Sequence, residues 1–510
     1  MITDFVFCTI PLWLRRLGNT AAKSWCFGLL QRIYQFFRRL CYESWIGKTL
    51  SRHEQEGHIY KNSLTCRVLD ALLRGIVQFV RTIVSLLTFG TYDSVAISLG
   101  KRVCAHWTFL DFSFLCGGSI FLMLICPGEY WRNIFGLGIS FLLAMALLVI
   151  TAVKQRETLT VKKLGLPFVI FVFATIVGVG VANDRSEALR VFCFFLTAFL
   201  LCIVLIGSLT DEKALKKFLS FIYWAMIVMA LMGFYQRIAG VEVSASLTDL
   251  TVNAGMPGRV YSSFENPNNY AEAIVLLLPL ALAYCTMVEG QNHRIAALLS
   301  LLLPVGALLM TYSRSGWVSF ALAAVVFVFF YNKRLMPAFL LLALLAIPLL
   351  PQTIINRILT IGSTKDSSNT YRLYIWDSAL NMIRDYGLRG LGLGPENFRP
   401  VYLAYAHKTA VNAMHAHMLY LEIWIEMGLL GIGSYLCYYF CTIRNAIIRI
   451  GTSSKTLRIT LISAVSSLAG IAFISAAEYI WYYPRVLFCF FILTGVATAA
   501  VNISRRGEPT

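Results

Sequence analysis

The chain has 510 residues, 58% of them hydrophobic and only 14% charged, with a formal net charge of +18. A soluble protein of this length divides into several domains and carries about a quarter charged residues, so this chain lacks the polar surface for that class. Apolar runs long enough to cross a bilayer recur along it, and its mean hydropathy is +0.69, which predicts an all-α, polytopic membrane fold.

The positive charge is first a topology signal and a signature of anionic-lipid contact. No basic-aromatic binding module accompanies it, so nucleic acid is not an expected partner. The 13 cysteines include no CxxC pair and mostly sit in apolar runs. There they act as small hydrophobes rather than as a disulfide framework or metal site. The opening "MITDFVFCTIPLWLRRLG" lacks a basic stretch before its short apolar run and is not expected to be a signal peptide.

Residues 1–108 contain no clean span and are expected to form a basic, amphipathic, cytoplasmic or interfacial region. In "SLTCRVLDALLRGIVQFVRTIVSLLT" (63–88), Val68, Leu72, Leu73, Ile76, Val77, Val80 and Ile83 recur at helical spacing, opposite Arg67, Asp70, Arg74, Gln78 and Arg81. That pattern predicts a helix lying in the headgroup plane, or one packed on the membrane domain's own inner surface. A weaker copy lies at 24–45.

Residues 109–502 form the expected membrane domain, with spans near 109–126, 134–153, 167–182, 189–208, 217–235, 270–288, 295–312, 316–331, 335–351, 417–440, 457–480 and 485–502. That is twelve. Lys154, Arg156, Lys162 and Lys163, then Lys213, Lys216 and Lys217, then Lys333 and Arg334, then Arg444, Arg449, Lys455 and Arg458, and finally Arg505 and Arg506 all fall on one side if the spans alternate. The positive-inside rule makes that side cytoplasmic, with both termini and the 503–510 tail inside. Two long segments then face outward, 236–269 and the large external loop 352–416. Within the second, 371–385 has helical spacing and ends at a glycine-rich turn.

Several outward cations run against the inside-positive bias. Arg259 stands in "GRVYSSFENPNNYAEA", Arg314 in "TYSRSGW" and Arg372 in "YRLYIWDSAL"; His415 and His417 open "HAHMLYLEIWIEMG". An arginine fork matches phosphate oxygens bidentately, and a histidine can take a proton from a hydroxyl near neutral pH. Together they suggest chemistry on a lipid-linked pyrophosphate. Taken singly, an outer-face arginine snorkels to lipid phosphate and a histidine at a span end is an interfacial residue. The 266–269 run "NPNN" is a turn and helix start. Gly390, Gly392 and Gly394 form an anion nest or a plain turn.

Four stretches change the weight: "RVYSSFENPNNYAEAIVLLLPLALA", "TYSRSGWVSFALA", "YRLYIWDSALNMIRDYGLRGLGLGPENF" and "HAHMLYLEIWIEMGLLG". In order and spacing they resemble the O-antigen ligase and polysaccharide polymerase family of bacterial membrane proteins, over about residues 109–500. The resemblance implies a glycan transferase at the outer face of the cytoplasmic membrane, acting on undecaprenyl-diphosphate-linked sugars without a metal or other cofactor. It implies that Arg259 and Arg314 hold the donor diphosphate, joined by Arg372. His417 would deprotonate or orient an acceptor hydroxyl belonging to a glycan, a lipid or the cell wall. Met418 departs from the family pattern, which places Asn, Ser or Gln there, and this keeps His415 open as the active imidazole. Glu426 matches the family glutamate and is expected to be hydrogen-bonded inside the bundle; Glu422 has no assigned role. Polysaccharide-assembly proteins are candidate partners.

Two other classes compete. A transporter would use Glu422, Glu426 and Glu478 as a proton relay, although no inverted repeat supports it. A non-catalytic scaffold of an envelope polysaccharide complex would tolerate alanine at Arg259, Arg314 and His417.

Overall fold

The computed structural model describes residues 63–89, 111–153, 159–240, 257–359 and 367–506. They are helical, with no strand among them. The helix expected at 24–45, Lys154 and Arg156 lie outside the described residues.

In chain order the helices are α1 (Leu64–Phe89), α2 (Phe112–Ile125), α3 (Asn133–Val153), α4 (Val161–Leu164), α5 (Leu166–Val181), α6 (Arg185–Ser208), α7 (Glu212–Ala239), α8 (Pro267–Met287) and α9 (Gln291–Ser300). There follow α10 (Leu302–Met310), α11 (Arg314–Asn332), α12 (Met336–Ala346), α13 (Gln352–Leu359), α14 (Ser367–Tyr386), α15 (Pro395–Tyr402), α16 (Leu419–Ile450), α17 (Lys455–Ser475) and α18 (Pro484–Arg506). Polar linkers supply the caps. Asp111, Asp184, Asp211, Asn266, Ser313 and Ser454 each accept a backbone N–H of the helix they begin, which satisfies donors that the first turn leaves open.

Among the described residues, nine stretches are long and apolar enough to cross a membrane, and α2 and α5 are shorter apolar helices. One of the nine, Arg314–Leu349, contains both α11 and α12, where the sequence predicts two spans divided at Lys333 and Arg334. The chain does reverse there. Tyr312 Oη lies 3.3 Å from Thr353 Oγ1, and Arg357 Nε donates to Tyr312 O at 3.4 Å. Since α11 starts beside Tyr312 and extends for about 28 Å at 1.5 Å per residue, α12 must carry the chain back.

The innermost helices are α8, α17 and α18, whose side chains are buried nearly all round. The helices α3 and α12 lie outside and turn most of their apolar surface outward, as a lipid-facing position requires. Phe168, Phe171, Phe195, Phe199, Tyr435 and Phe491 interlock at the centre, at ring separations of 5.1–6.5 Å, the range of favourable edge and offset contacts.

Helix α1 docks by its polar residues. Asp70 accepts Val161 N at 2.8 Å, and Arg81 Nε donates to Ala152 O at 3.3 Å. Leu64, Val68, Leu72, Ile76 and Phe79 remain exposed as a stripe. The two readings of this helix therefore combine: it packs on the bundle end while presenting an apolar face outward.

The helix α16 is interrupted at Gly428 (φ 65°, ψ −162°). The backbone groups freed there do not go unpaired. Ile425 O accepts Leu391 N at 2.8 Å, Glu426 O accepts Gly392 N at 3.0 Å, and Leu388 O accepts Leu429 N at 3.3 Å. Broken backbone inside a bundle is stable only when something replaces the lost bonds, and here the 388–394 segment does so. The approach is close enough that a Cβ at Gly390 would stand 2.5 Å from Glu426 O, and one at Gly392 2.4 Å from Ala182. The described residues of the 352–416 segment are thus structured. They carry α13, α14 and α15, with their own small core around Ile375, Met382, Phe398 and Tyr402.

Candidate functional site

The connections at one end of the bundle bring together Arg259, Arg314, Arg357, Arg372, Asn268, His417 and Glu478. Arg259 sits in the loop before α8 and is buried. Its Nε donates to Thr311 O at 2.8 Å and its Nη2 to Asn268 Oδ1 at 2.5 Å. Arg314 opens α11 next to its cap, Ser313. Arg357, on α13, is buried against Tyr312 O. Arg372 projects from α14 to an ion pair with Glu478 Oε1. Asn268 Nδ2 also reaches that oxygen, at 3.5 Å. Glu272, one turn along α8, is buried within electrostatic reach of Glu478 and Arg372.

Burial depresses Arg259 first, and the charges of Arg357, Arg314 and Arg372 add to it, with Glu478 opposing. Its guanidinium is drawn down to about 9 and so stays charged at neutral pH. Burial alone would raise the Glu478 carboxyl, but Arg372, His417 and Arg259 together outweigh it and hold the group below the usual carboxylate range. Glu478 is therefore an anion at neutral pH. Cations outnumber it, and the basin is positive.

His417 Nδ1 faces Glu478 Oε2 at 4.0 Å, and Trp376 Nε1 donates to His417 O at 3.4 Å. The His415 ring lies 4.1 Å from that of His417 and 4.5 Å from Tyr482. His415 Nδ1 accepts the backbone N–H of His417 at 3.1 Å. That bond occupies its lone pair and leaves Nε2 as a donor. Burial, then the proximity of His417 and Arg372, keeps His415 well below its ordinary value and hence neutral. This arrangement makes His415 a hydrogen-bond donor.

The loops are strained where the site needs them. Among the described residues, the non-glycine positions with positive φ are Ser262 (53°), Glu265 (59°), Tyr312 (49°) and His417 (49°). Each lies at His417 itself or in the loops that carry Arg259 and Arg314. Left-handed backbone at non-glycine residues is costly and clusters at binding and catalytic sites.

The two acids of α16 brace these loops. Glu422 Oε2 accepts Ala416 N at 2.5 Å, between the two histidines. Glu426 Oε1 accepts Gly394 N at 2.7 Å and its Oε2 accepts the Tyr479 hydroxyl at 3.3 Å. The anion-nest reading of the glycine run fails for the same reason. Gly390, Gly392 and Gly394 donate to Tyr386 O, Glu426 O and Glu426 Oε1, so their amides are spent inside the fold.

Arg357 and Glu272 have no motif in the sequence that marks them, Asn268 reads there as part of a turn and helix start, and Glu478 reads only as a candidate relay acid. The available signal for Glu478 was its place at the same end of the bundle as the arginines, in "SAAEYIWYYPR". Among the described residues, no group of three or more His, Cys, Asp or Glu is disposed to hold a metal ion.

No curated protein matches the chain. A family model described as O-antigen ligase matches residues 299–436, supporting a multi-pass membrane protein with a glycan-processing role. That stretch spans Arg314, Arg357, Arg372 and both histidines, while Arg259 and Glu478 flank it; three of the four motifs that carry the sequence resemblance thus fall within the match to the O-antigen ligase family model, which supports that resemblance.

Proposed function

We propose that the basin binds the diphosphate of an undecaprenyl-linked glycan and transfers the glycan to an acceptor hydroxyl. What carries this reading is the convergence of Arg259, Arg314, Arg357 and Arg372 on Glu478 and His417. Guanidiniums gathered in a poorly solvated place need an anion with several oxygens, and a diphosphate provides one.

In the reaction, Nδ1–H of His417 faces Glu478 and its Nε2 takes the proton of the acceptor hydroxyl. The acceptor oxygen bonds to the anomeric carbon as the bond from that carbon to the diphosphate oxygen breaks. The electron pair leaves with undecaprenyl diphosphate, whose charge the arginines stabilise without a metal. Attack opposite the leaving group inverts the anomeric centre. Glu478 acts as a positioning residue for the imidazole.

The same reading counts α11 and α12 as separate crossings. With α2, α3, α5, α6, α7, α8, the α9–α10 pair, α16, α17 and α18 they make the twelve expected from the sequence. The site end, including 352–416, then faces out, and both termini face the cytoplasm with the lysine-rich end. The exposed stripe of α1 lies in the inner leaflet, with Arg67 and Arg74 toward anionic headgroups.

The test is glycan output in cells lacking the gene, complemented with wild type, Arg259→Ala, Arg314→Ala or His417→Ala at matched membrane levels. The expected result is loss of finished polymer with accumulation of undecaprenyl-linked glycan. Long lipid-linked chains would mark a ligase, and single repeat units a polymerase. Unchanged glycan in all variants overturns the catalytic reading in favour of a transporter or scaffold.

A further inference from the structure

A second compartment lies on the other side of the histidine pair. It is a cavity of about 390 Å3 whose walls include His415, Glu422, Trp131, Trp481, Tyr482 and Arg485. The two compartments divide the imidazoles between them. His417 faces Glu478 and stands edge-on to Tyr371, at 6.0 Å. His415 faces Tyr482 and Tyr479, at 4.5 and 5.5 Å. A bond breaking beside His417 thus has the cationic basin on one side and this cavity on the other.

The chemistry of the walls differs from that of the basin. Glu265, Glu422 and Glu426 line the cavity together with Arg132, Arg190 and Arg485, so its charged groups are matched in number and it lacks the net positive charge of the basin that suits a diphosphate. Polar groups on every side also disfavour an acyl chain, which could not satisfy them. Flat aromatic faces alternate with hydrogen-bonding groups instead. Trp481 Nε1 and Arg485 Nε and Nη2 are buried donors with no hydrogen-bond partner within the protein, and both residues are almost wholly inaccessible, at 4% and 3% exposure. The Arg485 guanidinium is stacked 4.9 Å over the Trp131 ring, while its Nη1 is fixed by Cys126 O and Ser263 O. Buried donors of this kind call for an acceptor-bearing ligand.

We infer that this cavity binds a pyranose ring of the glycan. A pyranose has an apolar C–H face to lie on an aromatic ring and a rim of hydroxyls that both donate and accept. It therefore fits a pocket in which aromatic faces alternate with fixed polar groups. The inference rests on the transferase reading above. The ring belongs either to the donor, as the sugar attached to the diphosphate in the basin, or to the acceptor, as the sugar that presents its hydroxyl to His417.

The experiment uses the full chain in nanodiscs, with two probes: bare undecaprenyl diphosphate, and lipid-linked glycan extracted from cells lacking the gene. Trp131→Ala and Tyr482→Ala alter the cavity and leave the basin arginines intact; Trp131→Phe keeps an aromatic face. Expected are unchanged affinity for the bare lipid and a loss of transfer of about tenfold or more in both alanine variants, with Trp131→Phe close to wild type. If the donor's sugar occupies the cavity, the wild-type preference for glycan-loaded over bare lipid disappears in the alanine variants. If the acceptor's does, that preference stays and the KM for acceptor rises. Wild-type transfer by both alanine variants overturns the inference, as does equal loss of bare-lipid binding or failure of Trp131→Phe to restore transfer. A separate arm addresses the transferase reading itself: bare-lipid binding unchanged in Arg372→Ala refutes the diphosphate basin whatever the cavity variants do.

Discussion

The two ends of the bundle hold their basic residues in opposite physical states. At the lysine-rich end, Lys216 pairs with Glu289 at 3.0 Å and Lys217 with Asp111 at 2.6 Å, and all four side chains are at least a quarter exposed. Such pairs are screened by water and contribute little. At the other end Arg259 and Arg357 are buried, at 8% and 7% exposure, hydrogen-bonded to main-chain carbonyls and set close to further guanidiniums. The net charge of +18 merges these populations. One is a solvated band of exposed pairs; the other is a desolvated cluster of guanidiniums. The difference lies in burial and geometry and in residue type, lysine at one end and arginine at the other.

The largest effect should come from removing the cluster's charge. Arg259→Ala is expected to lower transfer by about 10²–10³-fold, measured as initial rate in membranes at equal protein level. A rate near wild type would erase the distinction between the ends. Glu478→Gln keeps the shape and removes the anion that faces His417. A fall of about 10–100-fold is expected, together with a changed pH profile that a purely packing role would not produce. An unchanged profile would remove Glu478 from the proton path.

Next comes the scaffold. Gly392→Ala puts a Cβ into Ala182 at a backbone φ of 101°, which should cost about 2–4 kcal/mol through strain and overpacking. Thermal unfolding in detergent reads this as a lowered Tm, and an unchanged Tm would show that the 388–394 segment is not tightly held.

A smaller effect concerns pH. The Glu478 carboxyl is depressed, so the stability it contributes is present above the ordinary glutamate range and is lost only as pH falls through the lowered folded value. Thermal stability in detergent should stay flat into mild acid and drop only below the ordinary glutamate range. An earlier drop would show that Arg372 does not control that carboxyl. The smallest effect is at the other end, where Lys216→Ala should leave transfer and Tm unchanged, because Glu289 is fully exposed.

Part of this site is legible in one dimension. Arg259, Arg314 and His417 each stand at the edge of an apolar run, and alternation of the runs puts them on one face. Arg357 and Glu478 were not so legible. Arg357 lies in a short amphipathic helix and Glu478 in a linker, and neither has a local pattern that distinguishes it from an ordinary surface charge. The role of Glu422 was equally hidden, because its partner, Ala416 N, is a backbone group with no sequence signature.

By itself the sequence determined that the chain is helical, that it lies in a membrane, and which linkers share an end. Those properties follow from hydropathy summed over some twenty residues and from the distribution of lysine and arginine, both local quantities. Only the tertiary structure decided that the glycine run closes the break at Gly428 and that Glu478 stands between Arg372 and His417. Each of these joins residues far apart in the chain through hydrogen bonds or charges only a few ångströms long. Such contacts depend on how the helices pack, and no window of sequence contains them.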